Sequence, residues 1–354
     1  MKTPIRILLA VLCAAIIVSM PWFVSSPHML DEVRADYSDW GEEEENEEEP
    51  EESGLLRLLI ASARAEDELM IEEVEAGKFD RNSTYELPWD LSPAPKPNPD
   101  NYTENGYEDE TIRVKLETQE EDGVTWHVAW VEIASPTQLR TAIAGKKVTS
   151  KKDARPSSMA RVNNAVVAIN GDYYSKDPDK TAFEYRMTQK IRNNNNSKKD
   201  TLIIDKKGNF TLDRFIKGKN EASEYAKAHM DEIVNVFTFG PALVKDGQLM
   251  EIDEHYGYNP NANEPRSAIG QTGELSYVLV IAEGRGESSG VNFKALAQKM
   301  YDLGCQQAFN LDGGNSSILI FNGQSYQGMP SGDERSQSDI IYFATAVPEN
   351  CGKD

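Results

Sequence analysis

Histidine and cysteine are scarce in this chain, which has four histidines and three cysteines among 354 residues. The H-E-x-x-H, C-x-x-C and phosphate-binding-loop patterns are absent. The sequence therefore gives no support for a zinc protease, a dithiol redox enzyme or a nucleotide-binding ATPase. Cys305 and Cys351 either pair in an oxidising exterior or remain two thiols, and with Cys13 they lack metal-site spacing.

Basic residues are also in short supply. The chain has 37 lysines and arginines against 59 acidic residues, which gives a formal net charge of −22. Binding of nucleic acid requires a basic surface, so the charge disfavours a nucleic-acid partner. A single phosphate group is still a compatible ligand, because a local pair of arginines such as Arg266 and Arg285 can bind it inside an acidic protein.

The first 25 residues have the pattern of a targeting segment. An apolar stretch at residues 7–24 follows Lys2 and Arg6 and precedes an acidic region. We interpret residues 1–25 as an uncleaved signal anchor, with a cleaved signal peptide as the alternative. The expected location is therefore membrane-anchored through this segment, with the rest of the chain extracytoplasmic, or secreted.

A long region after this segment lacks the composition of a packed core. The glutamate-rich run at residues 41–52 repels itself, and the proline-rich segment at 88–99 favours an extended linker. We expect residues 26–110 to form an acidic and proline-rich stalk that is largely disordered. The folded domain is then expected at residues 111–354, which is long enough for one substantial core.

Strand patterns dominate the predicted domain. Apolar and β-branched runs predict strands at residues 125–133, 165–169, 201–204, 277–281 and 317–321. The turn pairs Lys207-Gly208, Asp246-Gly247 and Asn322-Gly323 indicate hairpins.

One helix is predicted clearly. Residues 291–303 are apolar on one face, Ser288 or Ser289 precedes them as a candidate cap, and Gly304 follows. The expected fold class is α+β, with mixed, strand-rich sheets and flanking helices in one catalytic domain.

The most informative segment is residues 308–321, where an apolar strand breaks at Asp312-Gly313-Gly314 and then resumes. Glycines let the backbone approach a ligand closely, and a carboxylate between apolar strand ends is costly unless it is paired or used. A tight turn between two strands is the simpler interpretation. A second strand, at residues 165–169, ends in a similar polar cluster, Asn170-Gly171-Asp172.

Further segments at residues 239–247, 264–271 and 277–286, together with the segment around Arg335, complete an ordered set of motifs. Over residues 125–347 this set resembles the phosphodiester glycosidase family. The chain departs from the family pattern at Asn315, where a third glycine is more frequent, and at Asp172, where a small residue is common.

The resemblance implies a hydrolase that cleaves a sugar from a glycosyl-1-phosphodiester, with cell-surface or secreted polysaccharide as the expected substrate. Asp312 is the first catalytic candidate, as nucleophile or electrostatic stabiliser. Glu283 and Asp172 are candidate bases, although either is able to pair with an arginine instead. No cofactor is expected to be required, and a divalent cation held by the aspartates remains open.

Substrate-binding candidates surround these carboxylates. A guanidinium meets two phosphate oxygens at once, which makes Arg266 and Arg285 the candidate phosphate clamp. Their alternative role is an ion pair with Glu264 or Glu283. Candidate contacts to the sugar are the amides, glycines and one hydroxyl of the same segments: Asn170, Gly171, Ser289, Asn310, Gly313 and Gly314.

Other interpretations are weaker. Residues 286–290 fit the G-x-S-x-G pattern of a serine hydrolase, but no histidine follows Ser288 in the chain, as that fold requires. His127 lies in an apolar strand pattern and is interpreted as structural, whereas His255 is a possible site residue. A noncatalytic polysaccharide-binding module of the same fold and a structural cell-envelope protein are the remaining alternatives.

Overall fold

The computed structural model describes residues 85–147, 152–172, 183–193, 199–213, 228–327 and 334–348. The predicted signal segment, the glutamate-rich run, Cys13 and Cys351 lie outside the described residues. Across the described ranges, no helix combines the length and the apolar character needed to span a membrane.

The described part of the chain is mostly sheet. Its largest sheet has nine strands, which in spatial order are β1 (Tyr102–Thr103), β2 (Gly106–Glu108), β3 (Ile112–Glu121), β4 (Val124–Ile133), β15 (Ser276–Ala282), β14 (Arg266–Gly273), β16 (Gln307–Asn310), β12 (Ala242–Lys245) and β13 (Gln248–Leu249).

Two five-stranded sheets pack against the inner face of this first sheet. The second sheet has the order β10 (Phe210–Asp213), β9 (Thr201–Asp205), β11 (Ile233–Thr238), β7 (Phe183–Arg186) and β8 (Gln189–Asn193). The third has the order β18 (Gln324–Ser325), β17 (Leu319–Phe321), β6 (Val167–Asn170), β19 (Asp339–Phe343) and β5 (Leu139–Ile143). All strand pairs in the described residues are antiparallel, and one central core joins the three sheets.

Two α-helices cover the outer faces of these sheets in the described residues. Helix α1 (Pro156–Val162) packs its buried Met159 and Ala160 against the third sheet. Helix α2 (Phe293–Asp302) packs Phe293, Leu296 and Met300 against the outer face of the first sheet. Three short 3-10 turns complete the regular structure, at Pro99–Asn101, Pro136–Gln138 and Gly314–Ser316.

Each of the five predicted strand segments contains a strand, namely β4, β6, β9, β15 and β17. The three turn pairs join antiparallel strands, as predicted. The predicted helix is α2, but the assignment of its cap to Ser288 or Ser289 was wrong. Val291 still pairs with Glu264 in extended backbone, so the helix starts after Asn292, whose side chain accepts from the Ala295 amide at 2.9 Å.

The packed fold begins before residue 111. Leu87 and Ala94 are buried in the core beside α1, and β2 pairs with the edge of β3. The buried Arg140 guanidinium donates to the carbonyls of Pro88 and Asp90, both at 2.9 Å. Residues 85–110 are thus part of the folded unit, although their proline content predicted a linker. An extended proline-rich segment packs stably here because Arg140 satisfies its carbonyls.

Candidate active site

The two polar strand ends of the sequence meet at the junction of the first and third sheets. Asn170 ends β6, and its side-chain amide donates to the Asp312 carbonyl at 2.7 Å. Its side-chain oxygen accepts from the Ser267 hydroxyl at 2.8 Å and from the Ile318 amide at 3.2 Å. Asn170 is fully buried, so it holds the Asp312 loop in place instead of presenting its amide to a sugar.

Asp312 follows β16 and is partly buried. Burial raises the pKa of its carboxyl to about 6, against the opposing effects of the Ser316 hydroxyl, the Arg335 charge and the Gly313 amide. Its Oδ2 atom is buried without a hydrogen-bond partner. The carboxylate is thus poised to titrate near neutrality and has one oxygen uncommitted.

Two residues beside Asp312 were absent from the predicted site. The buried Ser316 hydroxyl bonds to the Asp312 carboxylate and accepts from Arg335 Nη1 at 3.2 Å. Arg335 is solvent-exposed and acts electrostatically on Asp312. Its segment belonged to the motif set, but nothing in the sequence indicated that it would reach Ser316 across 19 positions.

The same loop carries further unpaired polar atoms. Asn310 Oδ1 and Ser317 Oγ are buried without a partner, as is Asp312 Oδ2. Asn310 uses its amide nitrogen on the Gly240 carbonyl at 2.7 Å. An unpaired buried polar atom costs free energy, so three of them within eight residues are typical of a loop that bonds water or a ligand.

The glycines let the site's chain segments approach each other. A Cβ at Gly313 would lie 2.9 Å from the Pro265 carbonyl oxygen, and one at Gly171 would clash with the Asp339 carboxylate. Gly314 has φ +62° and faces the Arg285 guanidinium. Of the three glycines predicted to contact sugar, Gly313 therefore allows close backbone packing, Gly171 leaves room for the Asp339 carboxylate, and Gly314 adopts a left-handed conformation beside Arg285.

Arg285 is the predicted phosphate ligand that lies on the surface of the site. Its side chain is 44% exposed and pairs with Glu264 at 2.6 Å. Arg285 Nη1 also donates to Asn315 Oδ1 at 2.8 Å. The residue that departs from the family pattern, Asn315, thus links Arg285 to the Asp312 loop.

Arg266 does not form the predicted phosphate clamp. Its buried guanidinium donates to four backbone carbonyls at 2.8–3.2 Å, those of Tyr258, Asn259, Ala262 and Val291. It also lies over the Phe293 ring, 4.0 Å from the ring centroid. Burial lowers its pKa to about 10. Arg266 therefore anchors the loop before β14 and has little donor capacity left for a substrate.

Asp172 likewise has a structural role, because it pairs with an arginine. Its Oδ1 accepts from Arg186 Nη2 at 2.7 Å, and its Oδ2 accepts from the Thr238 amide at 2.9 Å. Asp172 is 1% exposed. A carboxylate with both oxygens bound inside the core cannot reach a sugar, so Asp172 is not placed to act as a base.

Arg186 is the centre of a buried cluster that the sequence did not indicate. It also pairs with Glu184 at 2.9 Å and with Asp339 at 2.8 Å, and all of these side chains are buried. Burial raises the pKa of Glu184 well above its usual range and that of Asp339 to about 6. The neighbouring Asp172 charge adds to both shifts, whereas the Arg186 charge opposes them.

Glu283 pairs with a histidine and not with an arginine. Its Oε1 lies 2.6 Å from His127 Nε2, and His127 Nδ1 lies 3.0 Å from Thr118 Oγ1. Ser289 is exposed, and its amide donates to the Gly123 carbonyl at the β3–β4 turn. His255 is also exposed and lies 3.5 Å from Asp253.

The described residues contain no group of three or more His, Cys, Asp or Glu side chains arranged to hold a metal ion. The site that they do form is a carboxylate of raised pKa on a glycine-bearing loop, flanked by two exposed arginines.

Comparison with known proteins identifies a family and a shared fold. The phosphodiester glycosidase family model matches residues 163–344, about half of the chain. The catalytic domain of zebrafish N-acetylglucosamine-1-phosphodiester alpha-N-acetylglucosaminidase, solved in a form auto-inhibited by its pro-peptide, shares the fold with a TM-score of 0.54 and 17% identity. That match covers 66% of this chain and 83% of the zebrafish domain.

Two further matches are more limited. A hypothetical protein from Synechocystis aligns with a TM-score of 0.46 and 17% identity, over 66% of this chain and 62% of that protein. The SPbeta prophage-derived uncharacterized protein YomE of Bacillus subtilis is 33% identical over 108 residues, which are 30% of this chain and 17% of YomE. This chain therefore aligns with only about a sixth of the length of YomE. Since the family model matches about half of the chain, this chain belongs to the phosphodiester glycosidase family.

Proposed function

We propose that this protein hydrolyses a glycosyl-1-phosphodiester, releasing a sugar from a phosphate-linked aglycone. The observation that carries the proposal is the Asp312 carboxyl: partly buried, with a pKa of about 6 and an unpaired Oδ2 atom. Such a group is costly for the fold, and its position on a glycine-bearing loop that also bonds Arg285 and Arg335 gives it a chemical use.

The chemistry requires little acid catalysis. In the reaction, water oxygen bonds to the anomeric carbon while the bond from that carbon to the phosphate oxygen breaks, and the phosphate leaves with the electron pair. A phosphate departs readily, so the main demand is to stabilise the cationic centre that develops on the sugar. Ionised Asp312 meets this demand electrostatically, because its partial burial strengthens the interaction.

Arg285 and Arg335 are the proposed phosphate ligands. Each is exposed and connected to the Asp312 loop, Arg285 through Asn315 and Arg335 through Ser316. The substrate diester carries one negative charge, and two guanidinium groups connected to the same loop complement it. This pair replaces the predicted pair of Arg266 and Arg285.

The proposed substrates are phosphate-linked sugars of cell-surface or secreted polysaccharide. The basis for this part is the sequence of residues 1–25, which has the pattern of a signal anchor or signal peptide. No divalent cation is needed for the proposed chemistry, because the arginines supply the positive charge.

The decisive experiment compares Asp312→Asn with Asp302→Asn, which removes an exposed carboxylate at the end of α2. Both variants and the unaltered protein are assayed on a panel of sugar 1-phosphodiesters, and their melting temperatures are measured. Asp312→Asn should lower turnover by on the order of a hundredfold while it still melts cooperatively, and Asp302→Asn should leave turnover unchanged.

Two results would contradict the proposal. Near-normal turnover of Asp312→Asn would remove the catalytic role from this carboxylate. Binding of the panel compounds without any turnover by the unaltered protein would instead favour a noncatalytic polysaccharide-binding module.

A further inference from the structure

Glu283 and Asp312 follow strands that finish at the same end of the first sheet. Strand β14 is antiparallel to both β15 and β16, so these two flanking strands run in the same direction. Glu283 directly follows β15, and Asp312 lies two residues beyond β16. Two inter-strand spacings separate the strand ends, about 10 Å.

The Glu283 side chain lies on the inner face of the sheet. It contacts His127, which pairs in register with Ile281 of the central core. The Tyr326 ring, at the end of the β17–β18 hairpin, packs edge-on against the His127 ring at 5.6 Å between centroids. The Asp312 loop leads into that same hairpin, so Glu283 and Asp312 border one region of the molecule.

The two members of the Glu283–His127 pair differ in their exposure to solvent. The His127 side chain is 7% exposed, whereas that of Glu283 is 25% exposed and accessible to solvent. Both imidazole nitrogens have partners, Thr118 Oγ1 at 3.0 Å and Glu283 Oε1 at 2.6 Å. An imidazole held at both nitrogens fixes the orientation of the carboxylate that it bonds.

We propose that Glu283 is the base that activates the attacking water, and that His127, fixed by Thr118, is a positioning residue for Glu283. The inference rests on the proposed phosphodiester glycosidase activity and names the second carboxylate of that reaction. The Thr118 hydroxyl donates to His127 Nδ1, and the Nε2 hydrogen is donated to Glu283 Oε1. Oε2 then takes the proton from water as the water oxygen bonds to the anomeric carbon and the phosphate leaves.

The spacing of the two carboxylates fits this division of roles. Carboxylates about 6.5–9.5 Å apart leave room for a water molecule between one of them and the sugar, as in inverting glycosidases. Strand ends about 10 Å apart allow that separation when both side chains extend toward the region between them. Asp312 then stabilises the sugar cation while Glu283 delivers water, and the product has inverted anomeric configuration.

The experiment uses four substitutions and a matched control in the full chain. Glu283→Gln removes the base, His127→Phe keeps the ring shape against Tyr326, His127→Gln retains a donor to Glu283, and Thr118→Val removes only the hydroxyl. Glu287→Gln removes an exposed carboxylate from the same loop and serves as the control. Turnover, KM, product configuration and melting temperature are measured for each, alongside Asp312→Asn.

We expect Glu283→Gln to lower kcat by about a hundredfold or more with little change in KM. His127→Phe should lower kcat about tenfold, and His127→Gln should recover most of that loss. Combined with Glu283→Gln, His127→Phe should cause no additional loss, because His127 acts through Glu283. If His127→Phe fails to fold, His127→Gln and Thr118→Val still test the assignment through the same comparison.

The outcomes separate this inference from the proposed function. Normal turnover of Glu283→Gln, together with an inactive Asp312→Asn, would overturn the role of Glu283 and leave the proposed function standing. Additive losses in the double variant, or a retained anomeric configuration, would also overturn the inference. An unaltered protein that cleaves none of the panel contradicts the proposed function, and this inference with it.

Discussion

The Asn170 side-chain amide donates to the Asp312 carbonyl at 2.7 Å and thereby joins the third sheet to the first. The Asp312 backbone amide donates to the Gly171 carbonyl at 3.2 Å, which is a second bond between the same two segments. These two bonds place the carboxylate at the junction of the sheets, so the geometry of the proposed site depends on tertiary packing and not on the Asp312 turn alone.

Substitution of Asn170 by Asp should therefore impair both the fold and the site. The new side chain has the same shape but lacks the donor to Asp312, and it brings a second carboxylate into a fully buried position. We expect a loss of about 2–4 kcal/mol in the free energy of unfolding, measured by urea titration, together with lower turnover. The exposed Asn261→Asp variant is the control, and equal stability of the two variants would contradict the prediction.

The pH dependence of activity should show an acidic limb. Asp312 must be ionised to act, so kcat/KM is expected to rise with pH through a midpoint near 6. Arg335 lowers the pKa of Asp312, and Arg335→Gln should move the midpoint to higher pH. A pH–rate profile of both proteins tests this expectation. A midpoint near 4, or one that Arg335→Gln leaves in place, would show that Asp312 is not the titrating group.

The same titration predicts a trade-off between stability and activity. A carboxyl whose folded-state pKa is raised from 3.8 to about 6 contributes stability at low pH that is lost as pH rises through about 6. Asp312→Asn cannot ionise, so its stability relative to the unaltered protein should increase by on the order of 1 kcal/mol between pH 5 and pH 8. Melting curves across that range measure the difference, and a constant difference would contradict the raised pKa.

The two predicted clamp arginines should respond differently to replacement by lysine. Arg266→Lys removes most of the donors to the loop before β14, so it should reduce stability by about 2–3 kcal/mol. Arg285→Lys should raise KM for a phosphodiester severalfold while the melting temperature changes little, because the side chain is exposed. Calorimetry and steady-state kinetics on both variants distinguish the roles. If both substitutions raised KM equally, Arg266 would be a phosphate ligand after all.

The carboxylates around Arg186 should not be equivalent. Burial and the Asp172 charge raise the pKa of Glu184 well above its usual range, so the charged form of Glu184 is disfavoured in the fold and the uncharged Glu184→Gln should be tolerated within about 1 kcal/mol. Asp172→Asn instead removes a charge that pairs with Arg186 and an acceptor for the Thr238 amide. It should cost about 3–5 kcal/mol in unfolding free energy. Chemical denaturation at pH 7 gives the unfolding free energies of both variants. Equal losses in the two variants would contradict the prediction.

Truncation tests where the folded unit begins. A chain that starts at Tyr85 should unfold cooperatively and keep its activity. A chain that starts at Thr111 lacks Leu87, the partners of Arg140 and the strand that pairs with β3, so it should lose more than about 3 kcal/mol or become insoluble. Urea unfolding of both purified chains provides the comparison. Equal stability would mean that residues 85–110 pack without contributing to the fold.

Local patterns in the sequence indicated the strands, the hairpin turns and Asp312. Each of these features depends on neighbouring residues. Alternating apolar side chains define β4, and the Asn322-Gly323 pair forms the turn between β17 and β18. Asp312 is recognised by the two glycines that follow it. The helix cap was assigned to the wrong residue because a bridge between Val291 and the distant Glu264 keeps the backbone extended. The proline-rich segment was assigned to a linker because its stabilising partner, Arg140, lies about 50 positions away.

Local sequence patterns are sufficient to predict a strand-rich domain with a carboxylate between apolar strand ends, since period-two alternation and glycine conformation are local properties. The role of each charged side chain depends instead on tertiary contacts. Arg266 and Asp172 serve the fold and Arg285 remains at the surface, although all three lie beside similar motifs. Burial and the positions of distant partners determine whether a charged side chain pairs inside the core or is available to a substrate. Spacing along the chain predicts neither the burial nor the partners.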